Sequence, residues 1–286
     1  MPESFDVRVD PLSGGTVVVS GSRQDRPNQP EGCPFCPGGL EAPEPYTTRW
    51  FVNRWPSISD ARVEVLLYTP DHDATLWGLG VDGVRRVLEL WAERTTALDT
   101  RPDVAYVLVF ENRGVEVGAT IPHPHGQVYA YPFVPDVPRR ELALDRCPLC
   151  EPPDADHIVR AAGEWTAWVP PTATWPFELR LAPTAHLPDL PAAGAAGTFD
   201  DLAAVLVDVL ARLDALFDEP MPLMLWWHQR PTDGDDWPGA HVHLHVAPVL
   251  RGPGTLRHVA GAELGSGVHL NPVVPADAAA RLRALG

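Results

Sequence analysis

The run Phe110-Glu111-Asn112-Arg113-Gly114, followed shortly by Thr120-Ile121-Pro122-His123-Pro124-His125-Gly126-Gln127, decides how this chain is read. In extended backbone, residues two apart point the same way, so His123, His125 and Gln127 share one face of a predicted strand. Neutral imidazole is both a good nucleophile near pH 7 and a good metal ligand. Two imidazoles and an amide on one surface therefore make either a metal site or a nucleophile with a helper, and the rest of the chain must decide between them.

Working outward, the first partners are four cysteines, arranged as Cys33/Cys36 and Cys147/Cys150. Each pair has a proline after its first cysteine and sits in a Pro/Gly-rich loop. A thioredoxin-type redox pair would instead open a helix after a strand, so metal binding is the expected use. The histidines downstream repeat the arrangement. Cys36 and His72 are 36 positions apart, as are Cys150 and His186, while His72 to His123 spans 51 and His186 to His241 spans 55. Two copies of one unit account for these spacings most simply.

The hydrophobic pattern supports the same division. A hairpin is expected over 7–20, turning at Ser13-Gly14-Gly15, then a Pro-rich loop and strands at 49–53 and 63–69. Val84, Val87, Leu88, Trp91 and Leu98 fall on one helical face with Asp82 as N-cap, and a buried strand follows at 104–110. Beyond the His-rich segment come strands at 165–169 and 177–182, a helix from about 199 to 217 capped by Thr198, and strands at 223–227 and 242–249. The expected fold is α+β: two duplicated units, residues 1–135 and 136–286, each with an antiparallel sheet and helices, forming one compact molecule.

Composition limits the chemistry. A net charge of -16 opposes binding to nucleic acid or to an anionic membrane. All 22 basic residues are arginine, which removes Schiff-base lysines and the lysine of phosphate-binding P-loops. No apolar run approaches the roughly 20 residues of a membrane span, and the first residues lack a signal peptide's basic and apolar segments, so the expected location is the cytoplasm.

On the motif His123-Pro124-His125-Gly126-Gln127 the chain resembles galactose-1-phosphate uridylyltransferases, the transferase branch of the histidine-triad superfamily. The similarity extends to Asp10-Pro11-Leu12, Arg23-Gln24-Asp25-Arg26-Pro27, Cys33-Pro34-Phe35-Cys36, Pro70-Asp71-His72 and Trp175-Pro176-Phe177-Glu178. It implies a histidine-triad-like fold and transfer of UMP from UDP-glucose to a hexose 1-phosphate. The implied mechanism is ping-pong, with His125 as the nucleophile that becomes uridylylated and Gln127 donating its amide to a phosphoryl oxygen. It implies small-molecule partners, a nucleotide sugar and a sugar phosphate, and a homodimer.

Cys33, Cys36, His72 and His123 match the family's zinc ligands and suit tetrahedral zinc. The second half offers two cages. Cys147, Cys150, His186 and His241 duplicate the first and favour a second zinc, whereas Glu141, His228, His243 and His245 match a site of longer family members that would hold iron or zinc. The all-protein Cys2His2 set is preferred, because the second cysteine pair has little other reason to exist. By the same resemblance Arg23 and Arg26 grip the UDP phosphates, Asn53 the ribose, Asn112 and Thr120 the phosphates, and Phe35 and Trp55 the base. The hexose-binding segment is altered: it reads Arg257 to Glu263 with Ala262 at the aromatic position, and His269 stands at a downstream Gln position. Two alternatives stay open: an adenylyl or guanylyl transferase or phosphorylase using the same histidine, and a zinc-stapled nucleotide-binding protein without turnover.

Overall fold

A computed structural model describes residues 6–21, 32–58 and 61–286. The expected N-terminal hairpin forms as β1 (Asp6–Val9) and β2 (Thr16–Val19), which among the described residues pair only with each other. The first unit then runs β3 (Arg49–Val52), β4 (Val63–Leu67), α1 (Gly80–Asp99), β5 (Tyr106–Arg113) and β6 (His125–Tyr131). A short helix, α2 (Asp136–Leu142), leads into β7 (Ile158–Ala162), β8 (Trp165–Trp168), β9 (Leu179–Pro183), α3 (Leu190–Ala195) and α4 (Phe199–Ala215). Strands β10 (Leu223–His228) and β11 (His243–Pro248) complete the second unit, and β12 (Leu250–Gly252), β13 (Thr255–Leu256), α5 (Gly261–Ser266) and α6 (Pro275–Arg283) end the chain.

The strands of both units form one antiparallel sheet in the order β3-β4-β6-β5-β10-β11-β9-β8-β7. Its two halves repeat the same path. In each, antiparallel strands (two in the first half, three in the second) lead through a long helix to two further strands, and the last strand inserts between its neighbours. The halves join where β5 pairs with β10. Both long helices lie on one face. Trp91 of α1 meets Trp227 of β10 edge-on with ring centroids 6.1 Å apart, and Trp227 meets Trp165 of β8 at 6.0 Å, so one core crosses the boundary between units.

The registered alternation of β6 sets the site. Gly126, Val128 and Ala130 are buried towards the helices, whereas His125, Gln127, Tyr129 and Tyr131 are half-exposed on the opposite face. That is the period-2 outcome expected of a strand with one packed face. Helix α1 carries the predicted apolar stripe, but it begins at Gly80, and Asp82 lies inside the first turn instead of capping it. Its carboxylate there still complements the helix dipole. Thr198 does occupy the N-cap position of α4, with its hydroxyl directed to the Ala193 carbonyl at 3.0 Å. Among the described residues no helix is long and apolar enough to cross a membrane.

Candidate active site and metal centres

His125 opens β6 with its Nδ1 2.8 Å from the carbonyl of His123. An oxygen there can only accept, so Nδ1 carries the proton and Nε2 keeps its lone pair. Phe35 packs edge-on against the imidazole with centroids 5.1 Å apart. Around them is a cavity of about 470 Å³ whose walls include Phe35, Asn53, Trp55, Asn112, Thr120, His125 and Gln127. A second opening of about 300 Å³ shares Asn112 and His125 and extends past Arg113 and Gly114. Seven residues singled out from sequence thus line one cleft. Arg23 and Arg26 lie outside the described residues.

The face of β6 turned away from the cleft is equally constrained. A Cβ on Gly126 would stand 2.1 Å from the Tyr68 hydroxyl, so this position of the motif has no room for a side chain. Beside Tyr68 lies Glu111, also buried, and among the described residues the oxygen of Tyr68, Nε1 of Trp91 and Oε2 of Glu111 have no partner within hydrogen-bonding geometry. Burial pushes the Glu111 carboxyl up to about 7, with Arg113 and Tyr68 opposing the shift. Sequence reasoning gave neither residue a role: Glu111 lies just beyond the strand expected at 104–110, and Tyr68 falls unremarked within the one at 63–69.

The loop at 33–36 and the start of β6 meet in a Cys2His2 cluster of Cys33, Cys36, His72 and His123, whose donor atoms all lie within 4.8 Å of one another. Cys36 Sγ is 3.5 Å from His72 Nδ1 and 3.7 Å from His123 Nδ1, and Cys33 Sγ is 3.8 Å from the latter. Zinc bonds of about 2.3 Å to sulfur and 2.0–2.1 Å to nitrogen at tetrahedral angles put S and N about 3.5 Å apart, so the set fits zinc. His123 turns its other nitrogen to the Thr69 carbonyl at 2.8 Å, the outer contact that fixes a metal-ligating imidazole. Burial lowers its pKa, keeping it in the neutral form a metal needs. Tyr46, which sequence reasoning missed, places its hydroxyl on the carbonyls of Phe35 at 2.7 Å and Thr69 at 2.9 Å, tying the cage loop to the strand behind it.

The second half repeats this arrangement. Cys147, Cys150, His186 and His241 form a cluster of the same compactness, with Cys150 Sγ 3.1 Å from His186 Nδ1 and Cys147 Sγ 3.3 Å from His241 Nδ1. His241 directs Nε2 to the Pro183 carbonyl at 3.0 Å, the counterpart of the contact between His123 and Thr69. Burial lowers its pKa to about 4. Glu141, His228, His243 and His245 make a third cluster. Glu141 lies 2.7 Å from His228 Nδ1 and 3.5 Å from His243 Nε2. Burial works against the Glu141 charge, but the two imidazoles outweigh it and hold the carboxyl well below the usual carboxylate range. The two second-half clusters share no residue, so the choice posed from sequence is not forced by geometry.

Arg257 and Glu263 are not brought to the His125 cleft. Both are buried, they bond to each other, and the Arg257 guanidinium lies 4.4 Å over the Trp175 ring. Glu263 also accepts from the main-chain nitrogens of Leu270 at 3.0 Å and Ala260 at 3.1 Å, and His269 stands 4.0 Å from it.

Comparison with known proteins places these features in context. The model of the galactose-1-phosphate uridyl transferase N-terminal domain matches residues 55–135 and that of its C-terminal domain matches residues 140–286. A galactose-1-phosphate uridylyltransferase of Thermotoga maritima is 35% identical, covering 98% of this chain and 98% of the relative. An ADP-glucose phosphorylase of Arabidopsis thaliana is 25% identical over 98% of this chain and 93% of its own. A solved uridylyltransferase superposes with a TM-score of 0.88 at 32% identity, covering 98% of each chain.

Proposed function

Because the chain belongs to the galactose-1-phosphate uridylyltransferase family, we propose that it moves UMP from UDP-glucose to galactose 1-phosphate through a covalent bond to His125. The observation that carries this reading is the contact between His125 Nδ1 and the His123 carbonyl, which leaves Nε2 as the nucleophilic nitrogen beside the cleft. In the first step Nε2 bonds to the α-phosphorus, the bond from that phosphorus to the bridging oxygen breaks, and glucose 1-phosphate leaves with the electron pair. In the second, a phosphate oxygen of galactose 1-phosphate attacks the same phosphorus, the P–N bond breaks, and UDP-galactose departs from a restored imidazole. Gln127, on the same strand face, donates its amide to a phosphoryl oxygen throughout and has no proton to lose. Phe35 and Trp55 offer apolar surface to the base, Asn53 a polar contact to the ribose, and Asn112 and Thr120 contacts to the phosphates; Arg23 and Arg26 complete the anion grip.

Zinc in the two Cys2His2 cages would act by position alone, joining each cysteine loop to the strand that follows; all four ligands come from the protein, so no coordination site is implied for substrate. The carboxylate cage suits iron or zinc and can be filled independently. We place the protein in the cytoplasm as a homodimer of chains built from units 1–135 and 136–286. Supporting the dimer, the hairpin of β1 and β2 exposes Val7, Val9, Val17 and Val19, and Arg257 and Glu263 lie apart from the cleft of their own chain.

Intact-mass measurement after mixing with UDP-glucose and no acceptor tests the mechanism. An acid-labile UMP adduct on wild type, absent from His125→Ala, is expected. A second reading, suggested by the ADP-glucose phosphorylase among the relatives, keeps His125 and changes the donor: an adduct with ADP-glucose but none with UDP-glucose would favour it. No adduct with any nucleotide sugar would leave a binding protein without turnover.

A further inference from the structure

The internal duplication pairs residues of the two halves through strand register. Gln127 of β6 faces Phe110 on β5 and Val65 on β4, while His245 of β11 faces Trp226 on β10 and Arg180 on β9. The counterparts are therefore Gln127 and His245, Phe110 and Trp226, and Val65 and Arg180. Two residues along each strand they are His125 and His243, and Asn112 and His228. The cysteine loops add Pro34 with Pro148 and Phe35 with Leu149. Even the nucleophile's tautomer-setting contact recurs: His243 Nδ1 lies 2.8 Å from the His241 carbonyl, as His125 Nδ1 does from that of His123.

Five of these residues, Pro34, Phe35, Val65, Asn112 and His125, line the 470 Å³ cavity. Their five counterparts, Pro148, Leu149, Arg180, His228 and His243, line a second cavity of about 210 Å³. The second half has thus kept a copy of the nucleotide pocket, roofed by α2, whose Pro138, Glu141 and Leu142 close over it. Two changes redefine what it can do. The Glu141 carboxylate stands 3.5 Å from His243 Nε2, where an approaching phosphoryl group would have to sit, so this histidine is blocked as a nucleophile. The aliphatic Val65 has become Arg180, whose buried Nε has no hydrogen-bond partner and whose guanidinium has no ion-paired carboxylate among the described residues. A guanidinium left unpaired at the edge of an apolar cavity is an unfilled anion site.

We propose that this second cavity binds a nucleoside monophosphate without turning it over, the base against Leu142, Leu144 and Leu149 and the phosphate on Arg180. Its volume is less than half that of the cavity at His125, which argues for a monophosphate over a whole nucleotide sugar. The single guanidinium likewise suits one phosphate. The inference rests on the reading of the His125 cavity as a nucleotide pocket, on the duplication and on Arg180, but not on the covalent transfer step assigned to His125.

Calorimetric titration with UMP tests it. Wild type is expected to bind two equivalents per chain. Arg180→Met should weaken one of them at least 10-fold, and Leu142→Trp, which fills the cavity from α2, should abolish the same one. Neither should prevent the UMP adduct from forming on UDP-glucose, and His125→Ala should lose the adduct while keeping the second equivalent, which separates this inference from the proposed function. A single equivalent in wild type, none at all, or two that survive both substitutions would overturn the proposal. Loss with Leu142→Trp but not with Arg180→Met would overturn the assignment of the phosphate to Arg180.

Discussion

At the scale of single residues, Gly126 shows how the motif is held from behind. Gly126→Ala places a methyl group on the Tyr68 hydroxyl, so β6 must shift and carry His125 and Gln127 with it. Displacements near 1 Å in a catalytic group cost on the order of 100-fold in rate. We expect a loss of that size in kcat, partly recovered by adding Tyr68→Phe, which deletes the atom in the way; steady-state kinetics of the single and double variants would check it. Were the double variant no better than the single, Tyr68 would not be the obstacle. Glu111 gives a second expectation. Its pKa is raised to about 7 against an ordinary 4.5, so the folded state holds the proton more tightly than the unfolded chain. The resulting stability is full below about pH 4.5 and is lost as pH rises through 7, by on the order of 3 kcal/mol. Glu111→Gln should therefore flatten the fall in Tm between pH 5 and 8 that wild type shows, and an unchanged profile would exclude Glu111 as its source. The heptad from Ile121 to Gln127 was legible in the sequence because period-2 geometry and residue chemistry point the same way. The pair Tyr68 and Glu111 was not, because its meaning depends on which strands lie side by side, and that is set by long-range pairing.

At the scale of elements, most strands were legible to within two or three residues, whereas β7 and the short β12 and β13 were not. Their apolar runs are bounded by Gly and Pro in a chain with 33 prolines. Helix starts were less so: Asp82 sits inside the first turn of α1 because Gly80, at φ +67°, lets the chain enter the helix three residues earlier than an N-cap at Asp82 would. Cage membership was partly legible, since spacing pointed to both Cys2His2 sets. That the carboxylate set coexists with the second one was hidden, because it depends on α2 carrying Glu141 across to β10 and β11. These cages are the joints between loops and sheet, and they separate by substitution. Elemental analysis of purified protein should find one zinc fewer per chain in Cys147→Ser, with His125 adduct formation retained. His245→Ala should leave the zinc of both cysteine cages in place and remove only whatever the third cage holds. Cys33→Ser should lose both metal and adduct, because His123 links its cage directly to the proposed nucleophile two residues on. If Cys147→Ser and His245→Ala removed the same ion, the two second-half clusters would be one site.

For the whole molecule, duplication and its partial undoing explain why one sheet carries one open site. The first half leaves one face of β6 half-exposed, and the second half buries both faces of β11, one in the apolar core and the other beneath α2. Composition and periodicity cannot reveal that difference, since both strands read as alternating His-rich segments; it comes from what the linker between units does after leaving β6. The continuous sheet also ties the halves mechanically. Asp214 of α4 accepts from Trp77 Nε1 at 2.7 Å, from the Arg113 guanidinium at the end of β5, and from the Met221 nitrogen at 2.9 Å, drawing donors from both units onto one partly buried carboxylate. With the core tryptophans shared across β5 and β10, neither half has a complete apolar interior of its own, so unfolding should be a single transition. Asp214→Ala leaves Arg113 without its counter-charge and two further donors without an acceptor, and we expect it to cost about 3 kcal/mol. Because the lost contacts span both units, the whole denaturation curve should move to lower denaturant with an unchanged slope, read by tryptophan fluorescence and far-UV circular dichroism together. A curve that instead split into two steps, one probe leading the other, would mean that Asp214 joins two separately stable halves.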